Sequence, residues 1–215
     1  MAELPGMDHY RRWIGGNWPE VQNWQYEYLT EKMYHYNPSV TFLDVGCGSL
    51  RLGSRLIREH DADKYIGLDV SQELIDYGLK YEIRDKDIEA KRPRFIISDR
   101  FDYSSLGDEK VDIAWCFSLW MHLPDWLMKE GLKKTAAVLK NDGVMFSTFS
   151  LDFGISPEFG ETPDDYTYDR QQRTFVRYED EIQAIFDECG LTYEHRGPVI
   201  KNQWLVRSVP KDRVL

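Results

Sequence analysis

The sequence has few of the features that mark a disulfide scaffold, a zinc protein or a nucleic-acid binder. Only three cysteines occur among its 215 residues, Cys47, Cys116 and Cys189, and none forms a C-x-x-C pair. We therefore expect no disulfide framework, no metal and a reducing, cytoplasmic location. The net charge of -10 disfavours a nucleic-acid backbone as partner. No apolar run is long enough to span a bilayer, and the first residues lack the apolar core of a signal peptide.

Short apolar runs alternate with helical patterns along the chain. Five runs are near-continuously apolar and two further strand-like segments follow: VTFLDV, KYIGLDV, RFIISD, VDIAWCF, GVMFSTFS, LTYEHR and QWLVRSV. Helices are predicted directly after Gly48, from about Ser71, from Pro124 through Leu139, and from Tyr178 to Cys189. This alternation indicates an α/β fold with a doubly wound, mostly parallel sheet of seven strands and helices on both faces.

The most informative stretch is FLDVGCG, residues 42–48. An apolar strand leads into Asp44 and then into the turn Gly46–Gly48. Because glycine lacks a Cβ, such a turn lets backbone and a helix N-terminus approach a ligand closely. The dinucleotide fingerprint G-x-G-x-x-G fails, since Arg51 occupies its third glycine position. This failure disfavours a nicotinamide-dependent reductase.

Acidic residues end the next two predicted strands. Asp69 follows the glycine turn by roughly 20 residues, a position where a carboxylate accepts hydrogen bonds from both hydroxyls of a ribose. Its alternative role is a helix cap, for which Ser71 is better placed. Asp99 ends the third strand, with Asp102 as its rival, and the alternative for both is a solvated loop acid.

These features resemble the class I S-adenosylmethionine-dependent methyltransferases. The D-x-G-x-G turn, the pair His122-Leu123 after the fourth strand and the sequence VLKNDG at residues 138–143 carry the resemblance, which covers about Thr41 to Ser150. It departs from the family pattern at Leu50, which stands at the third glycine position. The later turn departs too, because Asn-Asp replaces its usual proline. The resemblance implies a Rossmann-like methyltransferase fold, S-adenosylmethionine as cofactor and S-adenosylhomocysteine as product.

The resemblance also implies roles for residues at the strand ends. Asp44 offers charge to the ammonium group of the cofactor, Asp69 holds the ribose, and Asp99 meets the adenine with Phe101 packed on the ring. The full set of predicted cofactor-binding residues is Asp44, Gly46, Cys47, Gly48, Asp69, Val70, Asp99, Arg100, Phe101 and Phe117.

His122 is the predicted general base, because histidine titrates near neutral pH and this one follows the fourth strand, where the methyl group is expected. Its alternative is a structural histidine that bonds to backbone. Two segments outside the alternation, the aromatic residues 1–38 and the acidic residues 151–175, are predicted to cover the acceptor; the first is alternatively a helix packed on the core. The predicted acceptor contacts are Trp18, Tyr26, Ser118, Tyr166 and Tyr168.

We therefore predict one domain, residues 1–215, made of an N-terminal helical cap (1–38), a cofactor-binding half (39–150), a lid loop (151–175) and a C-terminal helix and strand pair (176–215). The predicted activity is methyl transfer to an oxygen or nitrogen atom of a small metabolite or sugar-like acceptor. A peptide or protein methyltransferase and a non-catalytic partner subunit are the alternatives. A nucleic-acid methyltransferase is disfavoured, since CFSLW replaces the N/D-P-P-F/Y tetrad of many such enzymes. The oligomeric state is left open.

Overall fold

The computed structural model shows two compact units that follow each other along the chain, Met1–Asp99 and Arg100–Leu215. The structure describes residues 18–33, 36–150, 175, 177–200 and 203–213. Within these residues, no helix has the length and apolar character needed to cross a membrane.

The first unit is built on three parallel strands. The strands are β1 (Phe42–Val45), β2 (Tyr65–Asp69) and β3 (Arg94–Ile97). The helices are α1 (Trp18–Glu27, continued by a π-helical turn, Tyr28–Lys32), α2 (Gly53–Glu59), α3 (Gln72–Tyr81) and α4 (Asp85–Lys91). Every residue of β1 and β2 is buried, as expected for parallel strands that are covered on both faces. In the register of β1 and β2, Asp44 lies beside Gly67.

The second unit contains the remaining four strands. They are β4 (Val111–Cys116), β5 (Leu139–Ser150), β6 (Glu194–Val199) and β7 (Gln203–Ser208). The helices are α5 (Asp125–Ala137) and α6 (Glu179–Glu188), with 3₁₀ turns at Ser104–Leu106, Trp120–His122 and Lys211–Arg213. Strand β5 pairs in parallel with β4 and antiparallel with β7, and β7 pairs antiparallel with β6.

The seven strands form one sheet in the order β3-β2-β1-β4-β5-β7-β6. This order confirms the predicted fold, a mostly parallel seven-stranded sheet flanked by helices, with a helix before the first strand. The final antiparallel pair, β6 and β7, confirms the predicted strand pair, although β6 begins three residues later than the predicted run LTYEHR. Helix α3 begins as predicted, because the Ser71 hydroxyl accepts a hydrogen bond from the Leu74 backbone N–H.

Two boundaries and one helix differ from the sequence prediction. Helix α2 begins at Gly53 rather than directly after Gly48, since a turn with Leu50 in the left-handed region separates them. Leu139 belongs to β5 and not to the preceding helix, because it pairs with Val111 of β4. Helix α4 was not predicted: all of its residues are exposed or half-buried, so its sequence carries no apolar stripe.

Candidate functional site

The glycine turn follows β1 and needs glycine at two positions. Gly46 and Gly48 have φ angles of 77° and 54°, a region that favours glycine. The backbone N–H groups of Gly46 and Cys47 donate to the Leu68 carbonyl at 2.8 and 3.0 Å, which ties the turn to β2. The chain reverses here with bare backbone at the carboxyl end of a buried strand, where open α/β sheets bind ligands.

Asp44 lies beneath this turn with only 5% of its surface exposed. Its Oδ2 accepts a hydrogen bond from the Tyr65 hydroxyl at 2.8 Å. Burial raises the pKa of Asp44 to about 7; the Tyr65 hydrogen bond opposes the rise, and the charge of Asp69 adds to it. Burial likewise lowers the pKa of Arg51 to about 10, while the charge of Asp44 opposes the fall. A Cβ at Gly53 would lie 2.3 Å from the Tyr65 hydroxyl oxygen, so this glycine makes room for the tyrosine.

Asp69 connects the turn to the start of α3. Its Oδ2 accepts from the Gly48 backbone N–H at 2.8 Å, and its Oδ1 accepts from the Ser71 backbone N–H at 2.9 Å. Burial raises the pKa of Asp69, and the backbone N–H groups of Ser71, Gly48 and Val70 oppose that rise. A carboxylate has about four acceptor sites, so beside these three backbone N–H groups Asp69 can still accept from a ligand hydroxyl. Ser71 caps helix α3, and Asp69 contributes indirectly because it accepts a hydrogen bond from the Ser71 backbone N–H.

Two further glycines hold the turn close to its neighbours. A Cβ at Gly67 would lie 2.9 Å from both the Cys47 sulfur and the Phe95 ring, and a Cβ at Gly78 would lie 2.6 Å from the Ser49 carbonyl oxygen. Burial raises the pKa of the Cys47 thiol well above its usual range, so Cys47 acts as a small buried side chain and not as a nucleophile. The sequence analysis missed Gly53, Gly67 and Gly78 because their partners are distant in sequence.

The two aromatic residues predicted for the cofactor lie in the second unit. Phe101, with φ 53°, is buried and packs on the Trp120 ring at a centroid distance of 5.6 Å. A Cβ at Gly131 of α5 would lie 2.7 Å from the Phe101 ring. Phe117 is buried and stacks on Trp115 at 6.4 Å with the planes 7° apart. Both rings are buried against a tryptophan, and their contact with adenine stays a prediction.

The polar residues predicted near the adenine are solvent-facing. Asp99 and Arg100 are exposed, and the Arg100 guanidinium pairs with Glu130 of α5, its Nε 2.9 Å from Oε2. Asp102, the rival of Asp99, accepts from the Ser104 backbone N–H at 2.9 Å, and this bond lowers the pKa of Asp102. Asp102 is therefore bonded to the first residue of the 3₁₀ turn Ser104–Leu106, and the contact of Asp99 with adenine stays a prediction.

Ser118 is held by three constraints at the end of β4. It has a φ of 55°, an uncommon value for a residue with a side chain. Its backbone N–H donates to the Thr148 hydroxyl at 2.8 Å, and the amide nitrogen of the buried Gln203 lies 2.7 Å from its hydroxyl. Strained backbone fixed by its surroundings is common at functional sites. Gln203 was not predicted, because it lies 85 residues from Ser118.

His122 ends the 3₁₀ turn Trp120–His122 and is half-buried. The turn is fixed by Arg177, whose side chain is 6% exposed. Arg177 donates to the carbonyl oxygens of Trp120 at 3.2 Å and of Leu123 at 2.5 Å, and its Nε donates to Asp125 at 2.7 Å. The structure thus places His122 on a turn whose flanking carbonyls bind one buried guanidinium. Its role as base stays a prediction.

Tyr26 makes contacts within the first unit. Its hydroxyl donates to Glu59, and the Arg55 guanidinium lies 3.5 Å from its ring centroid. These contacts attach α1 to α2, and an acceptor contact by Tyr26 stays a prediction. The Trp18 side chain, Tyr166 and Tyr168, also predicted to contact the acceptor, lie outside the described residues.

Known proteins match this chain at the level of a domain model and of the fold. A family model described as a methyltransferase domain matches residues 43–145. No curated protein matches the sequence significantly. The structure is similar to that of the PH0226 protein from Pyrococcus horikoshii OT3, with a TM-score of 0.67 and 17% identity over 96% of this chain and 97% of that one.

Two other solved structures that resemble the chain contain the cofactor or its product. Magnesium protoporphyrin IX methyltransferase from Synechocystis PCC 6803 with bound SAM has a TM-score of 0.61 and 18% identity over 95% of this chain and 91% of that one. The DhpI-SAH complex has a TM-score of 0.64 and 14% identity over 94% and 92% of the two chains. At these identities the likenesses show the fold alone.

The residues of the first unit fit S-adenosylmethionine, a cation with an amino-acid tail. The buried carboxyl group of Asp44 can, when ionised, pair with an ammonium group, and Gly46 and Gly48 leave backbone bare beside it. Asp69 keeps accepting capacity for ribose hydroxyls. Together with the fold and the matched domain, these features identify the chain as a methyltransferase. The matched domain and the fold together support an assignment to the class I S-adenosylmethionine-dependent methyltransferases, a family that uses S-adenosylmethionine as cofactor.

Proposed function

We propose that this methyltransferase transfers the methyl group of S-adenosylmethionine to an oxygen or nitrogen atom of a small metabolite or sugar-like acceptor. The observation that carries the cofactor half of the proposal is the joint arrangement of Asp44, the glycine turn and Asp69. The net charge of -10 supports a non-nucleic-acid acceptor. The buried free thiols Cys47 and Cys116 agree with the proposed cytoplasmic location.

The first unit supplies the residues that bind and orient. When bound, the cofactor supplies an electrophilic methyl group for in-line displacement. Asp44 would pair with the ammonium group of its tail, the backbone of Gly46–Gly48 would hold that tail, and Asp69 would accept from the ribose. Much of the catalysis of methyl transfer is placement of the nucleophile and exclusion of water.

Proton transfer is assigned to His122. A hydroxyl acceptor must lose a proton, whereas a neutral amine can attack directly. We assign the base role to His122 because it follows β4, ends a fixed turn and carries an imidazole. With a hydroxyl acceptor, His122→Ala should lower turnover by about 10²–10⁴-fold and leave cofactor affinity unchanged. Loss of cofactor affinity would instead make His122 structural.

Cofactor binding is tested by calorimetry with S-adenosylhomocysteine and, as the control, NADH. S-Adenosylhomocysteine should bind and should stabilise the fold by about 2.7 kcal/mol at a hundred times its Kd, whereas NADH should do neither. The protein must first be freed of any cofactor carried through purification. Folded protein that gives no heat and no thermal shift with S-adenosylhomocysteine would contradict the proposal.

The acceptor class is tested with S-adenosylmethionine labelled in its methyl group. The enzyme is incubated separately with the low-mass metabolites and with the protein fraction of one cell extract. Label transferred to the low-mass fraction supports a small acceptor. Label found only in protein would favour the peptide or protein methyltransferase.

A further inference from the structure

Helix α1 contacts the segment that joins the glycine turn to α2. The Gln22 side-chain amide, half-buried, donates to the Arg51 carbonyl at 2.5 Å and to the Ser54 hydroxyl at 2.9 Å. Val21 and Leu29, on either side of Gln22 in the chain, are fully buried. Helix α1 is therefore packed on the rest of the first unit, and Gln22 makes a polar contact with the residues that follow the glycine turn.

This junction, residues Leu50–Ser54, is irregular and receives a hydrogen-bond donor from α1. Leu50 lies in the left-handed region with a φ of 62°, and the N-cap residue of α2 is Leu52, whose side chain cannot accept a hydrogen bond. The Arg55 backbone N–H, which would reach the Arg51 carbonyl in a regular helix, donates to the Leu52 carbonyl at 3.0 Å. In place of the Arg55 N–H, the Arg51 carbonyl accepts from the Gln22 amide at 2.5 Å and, at the longer distance of 3.4 Å, from the Ser54 hydroxyl.

From this geometry we propose that Gln22 is a positioning residue for cofactor binding. Its amide fixes the Arg51 carbonyl and the Ser54 hydroxyl, and so it fixes the conformation in which the adjoining glycine turn receives the amino-acid tail. Helix α1 is thereby coupled to the cofactor turn. The inference rests on the proposed function, because it concerns the same S-adenosylmethionine site.

A matched pair of variants separates this role from general packing of α1. Gln22→Met keeps the length of the side chain and removes the donor. Asn23→Ala on the same helix removes the Asn23 contact with the Arg55 guanidinium, 3.2 Å away, and leaves the junction intact. Affinity for S-adenosylhomocysteine, measured by calorimetry, is compared with the melting temperature of each cofactor-free variant.

Gln22→Met should weaken S-adenosylhomocysteine binding by about 3- to 10-fold, the equivalent of one or two ordinary hydrogen bonds. Asn23→Ala should bind as the wild type does, and Gln22→Lys, which retains an N–H donor, should restore most of the lost affinity. If Gln22→Met does not fold, Gln22→Glu decides the question, because a carboxylate cannot donate to the Arg51 carbonyl.

Two results would overturn the inference. One is an affinity of Gln22→Met within twofold of the wild type. The other is an equal loss in Asn23→Ala, which would assign the effect to α1 packing as a whole. Failure of the proposed function gives a different result, since the wild-type protein itself would then bind no S-adenosylhomocysteine.

Discussion

A single buried carboxylate, Asp44, makes cofactor affinity depend on pH. An ammonium group pairs with the ionised form, yet burial raises the pKa of Asp44 to about 7. S-Adenosylhomocysteine affinity should therefore fall as pH is lowered from 8 to 5.5, by at most about tenfold per pH unit below the pKa. Binding near pH 7 should release a proton, seen as a calorimetric enthalpy that varies with the buffer. Asp44→Asn should lose both effects, and a variant that kept them would assign the titration to another group.

The raised pKa of Asp44 also makes the stability of the cofactor-free protein depend on pH. This stability should fall as pH rises, whereas cofactor affinity should increase. Unfolded aspartate ionises near pH 4, whereas folded, cofactor-free Asp44 ionises near pH 7. Between pH 4 and pH 7 the folded state binds this proton more tightly than the unfolded state does. The stabilisation that protonated Asp44 contributes is therefore full below about pH 4 and is lost as pH rises through 7. The free energy of unfolding, measured in urea, should therefore fall less between pH 5 and pH 8 for Asp44→Asn than for the wild type.

Asp69 combines two roles in one side chain, and a cofactor analogue separates them. Asp69→Ala should weaken S-adenosylhomocysteine binding by about 1.5–3 kcal/mol, the range for hydrogen bonds to a charged group. Part of that loss comes from the turn, because Gly48 and Ser71 also lose their acceptor. The wild type should bind the 2′-deoxy analogue more weakly than it binds S-adenosylhomocysteine. Asp69→Ala should bind the two ligands with equal affinity. If the loss of affinity from the substitution and the loss from removing the hydroxyl are additive, another residue binds the ribose.

At the level of elements, a buried arginine joins the start of α6 to the start of α5. Arg177 precedes α6, and its guanidinium binds the Trp120 and Leu123 carbonyls as well as Asp125. Arg177→Met should lower the free energy of unfolding in urea by about 3 kcal/mol, because the two carbonyls lose a charged donor in a buried place. The Asp125 side chain is 61% exposed, so Asp125→Asn should cost no more than about 1 kcal/mol. Equal losses would assign the effect to the ion pair instead.

For the molecule as a whole, the features that depend on local sequence patterns were predictable. The contacts between residues that are distant in sequence were not. The strands and the glycine turn were predictable because buried parallel strands appear as continuous apolar runs. Tyr65, which donates to Asp44 from 21 residues away, and Arg177, which binds the Trp120 carbonyl across 57 residues, leave no local signal. The positions of these partners depend on strand register and tertiary packing, which periodicity within a single segment does not specify.

The largest-scale prediction concerns the two segments outside the strand-helix alternation. Helix α1 bonds to the junction after the glycine turn through Gln22, so cofactor binding should slow amide hydrogen exchange in residues 13–24. The aromatic content of residues 166–168 predicts a slowing there too when the acceptor binds. At a cofactor concentration of a hundred times the Kd, the exchange rate of amides that exchange only in the cofactor-free protein should fall by at most about 100-fold. The β6–β7 pair serves as the internal control. Unchanged exchange in both segments with cofactor and acceptor present would show that they do not cover the acceptor, and the N-terminal aromatic residues would then belong to core packing or a partner surface.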